Sequence, residues 1–162
     1  MRSRPLRQTM LRERLDELVA TFDASTISPD PLELVHRYDD PLDQEVAGLI
    51  AAAFAYGRAE IIVANIGAVL KKMGPSPYAY LKGTGHRGQG TGGDFAGFSH
   101  RFHKTSDLVT LLDRISIAIH EHSSLGALFG KCYDANDPDI GPSLTRFIDA
   151  LRSPVPRPLS PV

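Results

Sequence analysis

The sequence predicts an all-α fold, an orthogonal bundle of about seven helices with a glycine-rich loop and a proline-rich carboxy-terminal tail. Three observations carry this reading. Apolar residues recur three and four apart through most of the chain, which is the period of one helix face. Asp-Pro pairs stand where helices are expected to start, and no segment alternates apolar and polar residues as a half-buried strand does. The marked helices are short, as in an orthogonal bundle rather than a long coiled coil, and no solenoid repeat is present.

Leu11, Leu15, Leu18 and Phe22 space a first amphipathic helix over residues 6–22. Asp30-Pro31-Leu32-Glu33 puts an acid at the cap, a proline at the first helical position and a glutamate three residues after the cap, opening a short helix to Tyr38. Asp40-Pro41-Leu42-Asp43 repeats that signal before Val46, Leu49, Ile50, Ala53 and Phe54, a helix apolar nearly all round and therefore expected at the centre. Gly57 interrupts the pattern, which resumes at Ile61 and stops at Gly74-Pro75. Ser76-Pro77 starts a further short helix through Leu81. Residues 83–97 hold seven of the chain's 14 glycines, too costly in backbone entropy for a regular element, and are expected as a long loop. Thr105-Ser106-Asp107 caps a helix carrying Leu108, Leu111, Leu112, Ile115 and Ile119. A short helix follows from Ser123 or Ser124 to about Tyr133, then a turn at Asp137-Pro138-Asp139, and a last helix begins at Pro142. Residues 6–152 are thus expected as one helical domain and 153–162, with four prolines, as an extended tail.

Composition bounds the function. The 162 residues are 42% hydrophobic and 23% charged, ordinary values for a globular chain of one domain. The longest nearly uncharged stretch, Val46 to Tyr56, falls far short of the roughly 20 apolar residues of a membrane span. The arginine-bearing start does not read as a secretory signal, so a cytoplasmic protein without membrane contact is expected. A lone Cys132 cannot close an internal disulfide. The net charge of −1 conceals blocks: residues 15–70 carry −8, whereas residues 71–104 carry +5 from Lys71, Lys72, Lys82, Arg87, Arg101 and Lys104 against Asp94. Such a basic block either meets phosphate backbones or pairs with the acidic block of the same fold.

Several motifs name chemistry without supplying its context. Gly83-Thr84-Gly85-His86-Arg87-Gly88 spells a dinucleotide fingerprint, but no strand precedes it and no helix follows to face a pyrophosphate; no cofactor is expected. His100 and His103 are spaced to share a helix face, yet no third ligand follows at a diagnostic interval, and no metal site is expected. No Gly-X-Ser-X-Gly elbow supports a triad, so catalytic residues stay unassigned. Asp39, Asp40, Asp43 and Glu45 crowd the start of the central helix, where carboxylates suit the positive end of the dipole or could tune one another for acid–base work. At Ala55-Tyr56-Gly57-Arg58 an aromatic ring, a glycine and a guanidinium sit between two apolar helices. Tyr56 could stack there and Arg58 could clamp phosphate, or Arg58 could simply pair with Asp43 or Glu60.

Four blocks in one order, Asp30 to Glu33, Tyr38 to Ile50, Ala55 to Arg58 and Phe98-Ser99-His100-Arg101-Phe102, closely resemble the bacterial family called domain of unknown function 2400 over residues 10 to 152. That family is distantly similar to the helix-hairpin-helix DNA glycosylases, all-α enzymes that extrude a damaged base. The likeness implies that the central helix and the Tyr56-Gly57-Arg58 joint correspond to the helix and turn approaching that base. It also implies a second helical half after the position of Pro158, bearing a Cys-Lys-Arg and a Pro-Leu-Asp-Thr-His block. The present chain is expected to be the amino-terminal half, incomplete for catalysis. The expected function is a nucleic-acid-binding, glycosylase-like module in which Arg58, Arg101 and Lys104 meet phosphate, with Tyr56 and His100 nearby. The alternative is a non-catalytic helical module docking a missing carboxy-terminal half or a partner subunit.

Overall fold

The computed structural model describes residues 4–83 and 91–152. Helix α1 (Arg4–Thr21) follows the expected span. Its apolar side nevertheless stays in water, with Met10, Leu11, Leu15, Leu18, Val19 and Phe22 between 51 and 74% exposed. Helical periodicity thus fixed the element without fixing its burial. A short 3₁₀ turn at Ala24–Thr26 follows. The Asp30-Pro31 signal opens a second 3₁₀ helix, Pro31–Arg37, in which the Asp30 carboxylate accepts from the Leu32 N–H at 2.8 Å. This segment is too short to gain much from α-helical propagation, and it buries one residue, Leu34.

Helix α2 (Pro41–Ala53) is the centre the sequence predicts. Asp40 caps it through the Leu42 N–H at 2.8 Å, and Val46, Ala47, Ile50 and Ala51 are buried. The 31–37 turn, α3 (Ala59–Met73), α4 (Pro77–Gly83) and α7 (Leu125–Cys132) pack around it. Each fully buried Ile or Val there contributes about 1.5–3 kcal/mol. Within the expected loop, Thr91–Asp94 form the one-turn helix α5 and Phe95 is buried. Burial of the Phe95 ring against the body offsets the entropy of ordering the neighbouring glycines. Residues 84–90 of that loop, and the tail 153–162, lie outside the described residues.

Next comes a departure from the all-helical pattern. Ser99–His100 (β1) and His103–Lys104 (β2) pair antiparallel, Ser99 opposite Lys104 and His100 opposite His103. Strands of two residues are too short for alternation to register in a sequence. Helix α6 (Thr105–His122) buries Leu108, Leu112, Ile115 and Ile119, and its buried Ser116 hydroxyl donates to the Leu81 carbonyl at 2.8 Å. Helices α7 and α8 (Gly141–Arg152) complete the bundle, joined by a turn whose Asp137 carboxylate accepts from Arg146 of α8 at 2.5 Å. The fold is all-α, with one minute ribbon. No helix among the described residues is long and apolar enough to cross a membrane.

Candidate functional site

The joint between α2 and α3 and the ribbon Ser99–Lys104 form one structure. After α2 ends, Tyr56 donates its N–H to the Phe54 carbonyl at 2.8 Å, and Gly57 takes φ +116°, a conformation open essentially to glycine. Arg58 then stands at the start of α3, its side chain 77% exposed and 3.9 Å from Glu60. An ion pair that wet is worth under about 1 kcal/mol and leaves the guanidinium available.

Aromatic packing fastens the ribbon to this joint. His100, 1% exposed, lies edge-on to Tyr56 with centroids 5.0 Å apart, and His103 stands 5.7 Å from both Phe54 and Tyr56. The His100 ring bridges two elements. Its Nε2 lies 3.2 Å from the Tyr56 carbonyl and its Nδ1 lies 3.1 Å from the Asn65 amide nitrogen on α3. A carbonyl can only accept and an amide NH₂ can only donate, so these partners select the neutral ring with its proton on Nε2. Tyr56 returns a bond from its hydroxyl to the His100 carbonyl at 3.3 Å, and Thr105 Oγ1 donates to the Phe95 carbonyl at 3.1 Å.

The ribbon's turn projects outward from that base. Arg101 sits at φ +53°, unusual for a residue with a side chain, and its chain lies over Gly57: a methyl added there would stand 3.3 Å from Arg101 Cδ and Nη1. Its guanidinium carbon is 5.7 Å from the centre of the Phe102 ring. Phe102 is 81% exposed. Lys104, also exposed, gives its N–H to Asp107 at 2.8 Å. That bond, aided by His103, holds the Asp107 carboxyl below its ordinary range. The site is a packed, hydrogen-bonded base of Phe54, Tyr56, His100 and Asn65 presenting an aromatic ring and guanidinium groups to solvent.

Of the residues the sequence singled out, the structure therefore brings Tyr56, His100 and Arg101 together, with Arg58 on the same joint and Lys104 at the far end of the ribbon. Asp39, Asp40, Asp43 and Glu45 take separate places. Asp40 caps α2; Asp43, 6% exposed, accepts from the Ser76 hydroxyl at 2.7 Å and the Tyr78 N–H at 2.9 Å at the start of α4; Glu45 accepts from the Gly126 N–H at 3.0 Å in α7; Asp39 is exposed. Asp43 and Glu45 are two residues apart on one helix, about 200° round its axis, and so serve different neighbours. Arg58 pairs with Glu60 and not with Asp43. Both ring nitrogens of His100 are engaged, by Asn65 and Tyr56, His103 Nδ1 lies 3.4 Å from Asp107, and no group of three metal-ligating side chains stands together among the described residues.

Sequence reasoning passed over two residues. Phe102 figures in the sequence only as the last residue of the Phe98–Phe102 block, and a single phenylalanine among charged and imidazole side chains does not mark itself as exposed. Asn65 carries no local signal, because its partner is 35 positions away. Comparison with known proteins adds a family: the model described as "Protein of unknown function (DUF2400)" matches residues 30–160. No curated protein and no solved structure matches the chain.

Proposed function

Because this chain belongs to the DUF2400 family, whose description assigns no activity, we propose its function from the site itself: a helical module that binds nucleic acid through the ribbon tip and the adjoining joint. One observation carries the reading, a phenylalanine ring left in water at 81% exposure on a two-residue turn, flanked by Arg101 and anchored over the joint that bears Arg58. Burying an exposed ring is favourable, and an aromatic face beside guanidinium groups matches a base beside its phosphate. Arg58, Arg101 and Lys104 take phosphate contacts, and Tyr56 and His100 hold the tip in place. The proposal extends to a module distantly similar to the helix-hairpin-helix DNA glycosylases and working in a bacterial cytoplasm. It assigns binding and positioning, with no bond-breaking step.

Fluorescence anisotropy with labelled DNA over a range of salt concentrations tests it. Each phosphate contact contributes about 0.7 to 0.9 to the slope of log K against log salt, so Arg58→Ala with Arg101→Ala should flatten that slope by about 1.4 to 1.8 and weaken binding. An unchanged slope and affinity would remove both arginines from the interface.

A second reading draws on the apolar side of α1, with Leu11, Leu15, Leu18 and Phe22 all more than half exposed, and on Leu144 and Ile148 of α8. Such surfaces favour a module that docks a partner subunit or a further helical half. Charge substitutions at Leu15 and Leu18 that abolish self-association or partner binding while leaving DNA affinity intact would support it.

A further inference from the structure

Behind the ribbon, a cleft of about 230 Å³ runs between α3 and the segment Phe95–Ser99. Its floor includes the buried Val69 and Phe95; Asn65 and Ser99 stand at the end nearest the ribbon, and Lys72 at the other. The Lys72 ammonium lies 5.9 Å from the centre of the Phe95 ring and gives one hydrogen bond, 2.7 Å, to the Asp94 carbonyl. An ammonium has three donors, so this bond orients the group without exhausting it. Among the described residues, Lys72 is the one charged residue in the lining of this cleft, while Glu60 stands beside Arg58 and Asp107 beside Lys104. Between Ile61 and Lys104 the sequence holds a single acid, Asp94, and that carboxylate accepts from the Tyr80 hydroxyl at 2.8 Å.

Arg58 and Lys72 mark the two ends of α3, about 21 Å apart at 1.5 Å per residue. From the tip, with Phe102 and Arg101, the cleft leads along α3 toward Lys72. The tip distinguishes a single strand from a duplex. A paired and stacked base offers no open face to a solvent-exposed ring, whereas an unpaired base does.

From these features, and resting on the nucleic-acid reading above, we infer that the ligand is a single strand, its bases meeting Phe102 and its backbone following the cleft to Lys72. A control is built into α3. Lys71, the adjacent residue about 100° round the helix, lines a different cleft with Arg37 and Tyr38. General attraction to a polyanion would use both lysines alike, whereas a strand lying in the Lys72 cleft uses one.

The test compares a labelled short oligothymidylate with the same strand paired to oligoadenylate, over a salt series, for the full chain and for Lys72→Gln, Lys71→Gln and the Arg58→Ala, Arg101→Ala double variant. We expect severalfold tighter binding of the single strand. Lys72→Gln should flatten its salt slope by about 0.7, and Lys71→Gln should change it far less. Circular dichroism confirms that the variants keep their helices. Duplex bound as tightly as single strand, or equal effects of the two lysines, overturns this inference; the tip reading survives that result if the double arginine variant still weakens binding. Binding of neither form overturns both.

Discussion

Asp43 is the sharpest test of where the acidic residues went. Its Oδ1 accepts both the Ser76 hydroxyl at 2.7 Å and the Tyr78 N–H at 2.9 Å, in a side chain 6% exposed. Hydrogen bonds to a charged acceptor are worth about 1.5 kcal/mol or more each, so Asp43→Ala should destabilise the fold by about 3 kcal/mol, lowering Tm by roughly 6–12 °C for a chain of this size. Asp43→Asn keeps an oxygen at the same place and loses only the charge, which limits the expected loss to about 1 kcal/mol. The chain has no tryptophan, so urea unfolding is best followed by the far-ultraviolet dichroism of its helices. A loss below about 0.5 kcal/mol for Asp43→Ala, or an Asn variant as unstable as the Ala variant, would refute the capping role.

Other expectations follow from the joint and from one tyrosine. Gly57→Ala places a side chain at φ +116° and against Arg101, so thermal melts should show a loss of about 1–3 kcal/mol and nucleic-acid affinity should fall as Arg101 is displaced. His100→Ala strips the partner from the Asn65 amide and the Tyr56 carbonyl and opens a cavity, an expected loss of about 3 kcal/mol by urea titration. Tyr80 is pushed up to about 12, first by burial and then by its bond to the Asp94 carboxylate. Folded protein therefore keeps a proton that the unfolded chain releases near pH 10, and stability should be level in this respect below about pH 10 and decline toward pH 12. Burial raises Tyr38 as well, with the same sign. Urea midpoints across that range, with Tyr80→Phe reducing the decline, check the assignment.

Most of the helices were legible because their signals are local. Asp40-Pro41 fixes the start of α2, Ser76-Pro77 that of α4, and the apolar spacing from Leu108 to Ile119 fixes α6. Burial was less legible: Leu11, Leu15 and Leu18 keep a helical period yet stay more than half exposed among the described residues, because periodicity describes one helix and burial needs a second surface. The ribbon escaped because two-residue strands carry no pattern, and its stability comes from aromatic contacts with Phe54 and Tyr56, far away in sequence. Tyr56, Arg58, His100 and Arg101 could be nominated singly. What joins them, Arg101 lying over Gly57 and His100 reaching Asn65, is tertiary geometry. The carboxylates illustrate the converse: neighbours in sequence, they separate because Asp40 caps α2 itself, Asp43 and Glu45 meet the starts of α4 and α7 on different sides of α2, and Asp39 stays exposed.

Phe102 offers the most direct measurement. With no native tryptophan, Phe102→Trp installs a single indole at the exposed tip, where its emission should be that of a ring in water. If nucleic acid binds there, adding oligonucleotide should quench and shift that emission along the same isotherm that anisotropy reports, and Phe102→Ala should weaken binding by about 1–3 kcal/mol, the value of a base stacked on an aromatic ring. Anisotropy that saturates while the indole emission stays constant, together with full affinity in Phe102→Ala, would contradict a nucleic-acid interface at the ribbon tip.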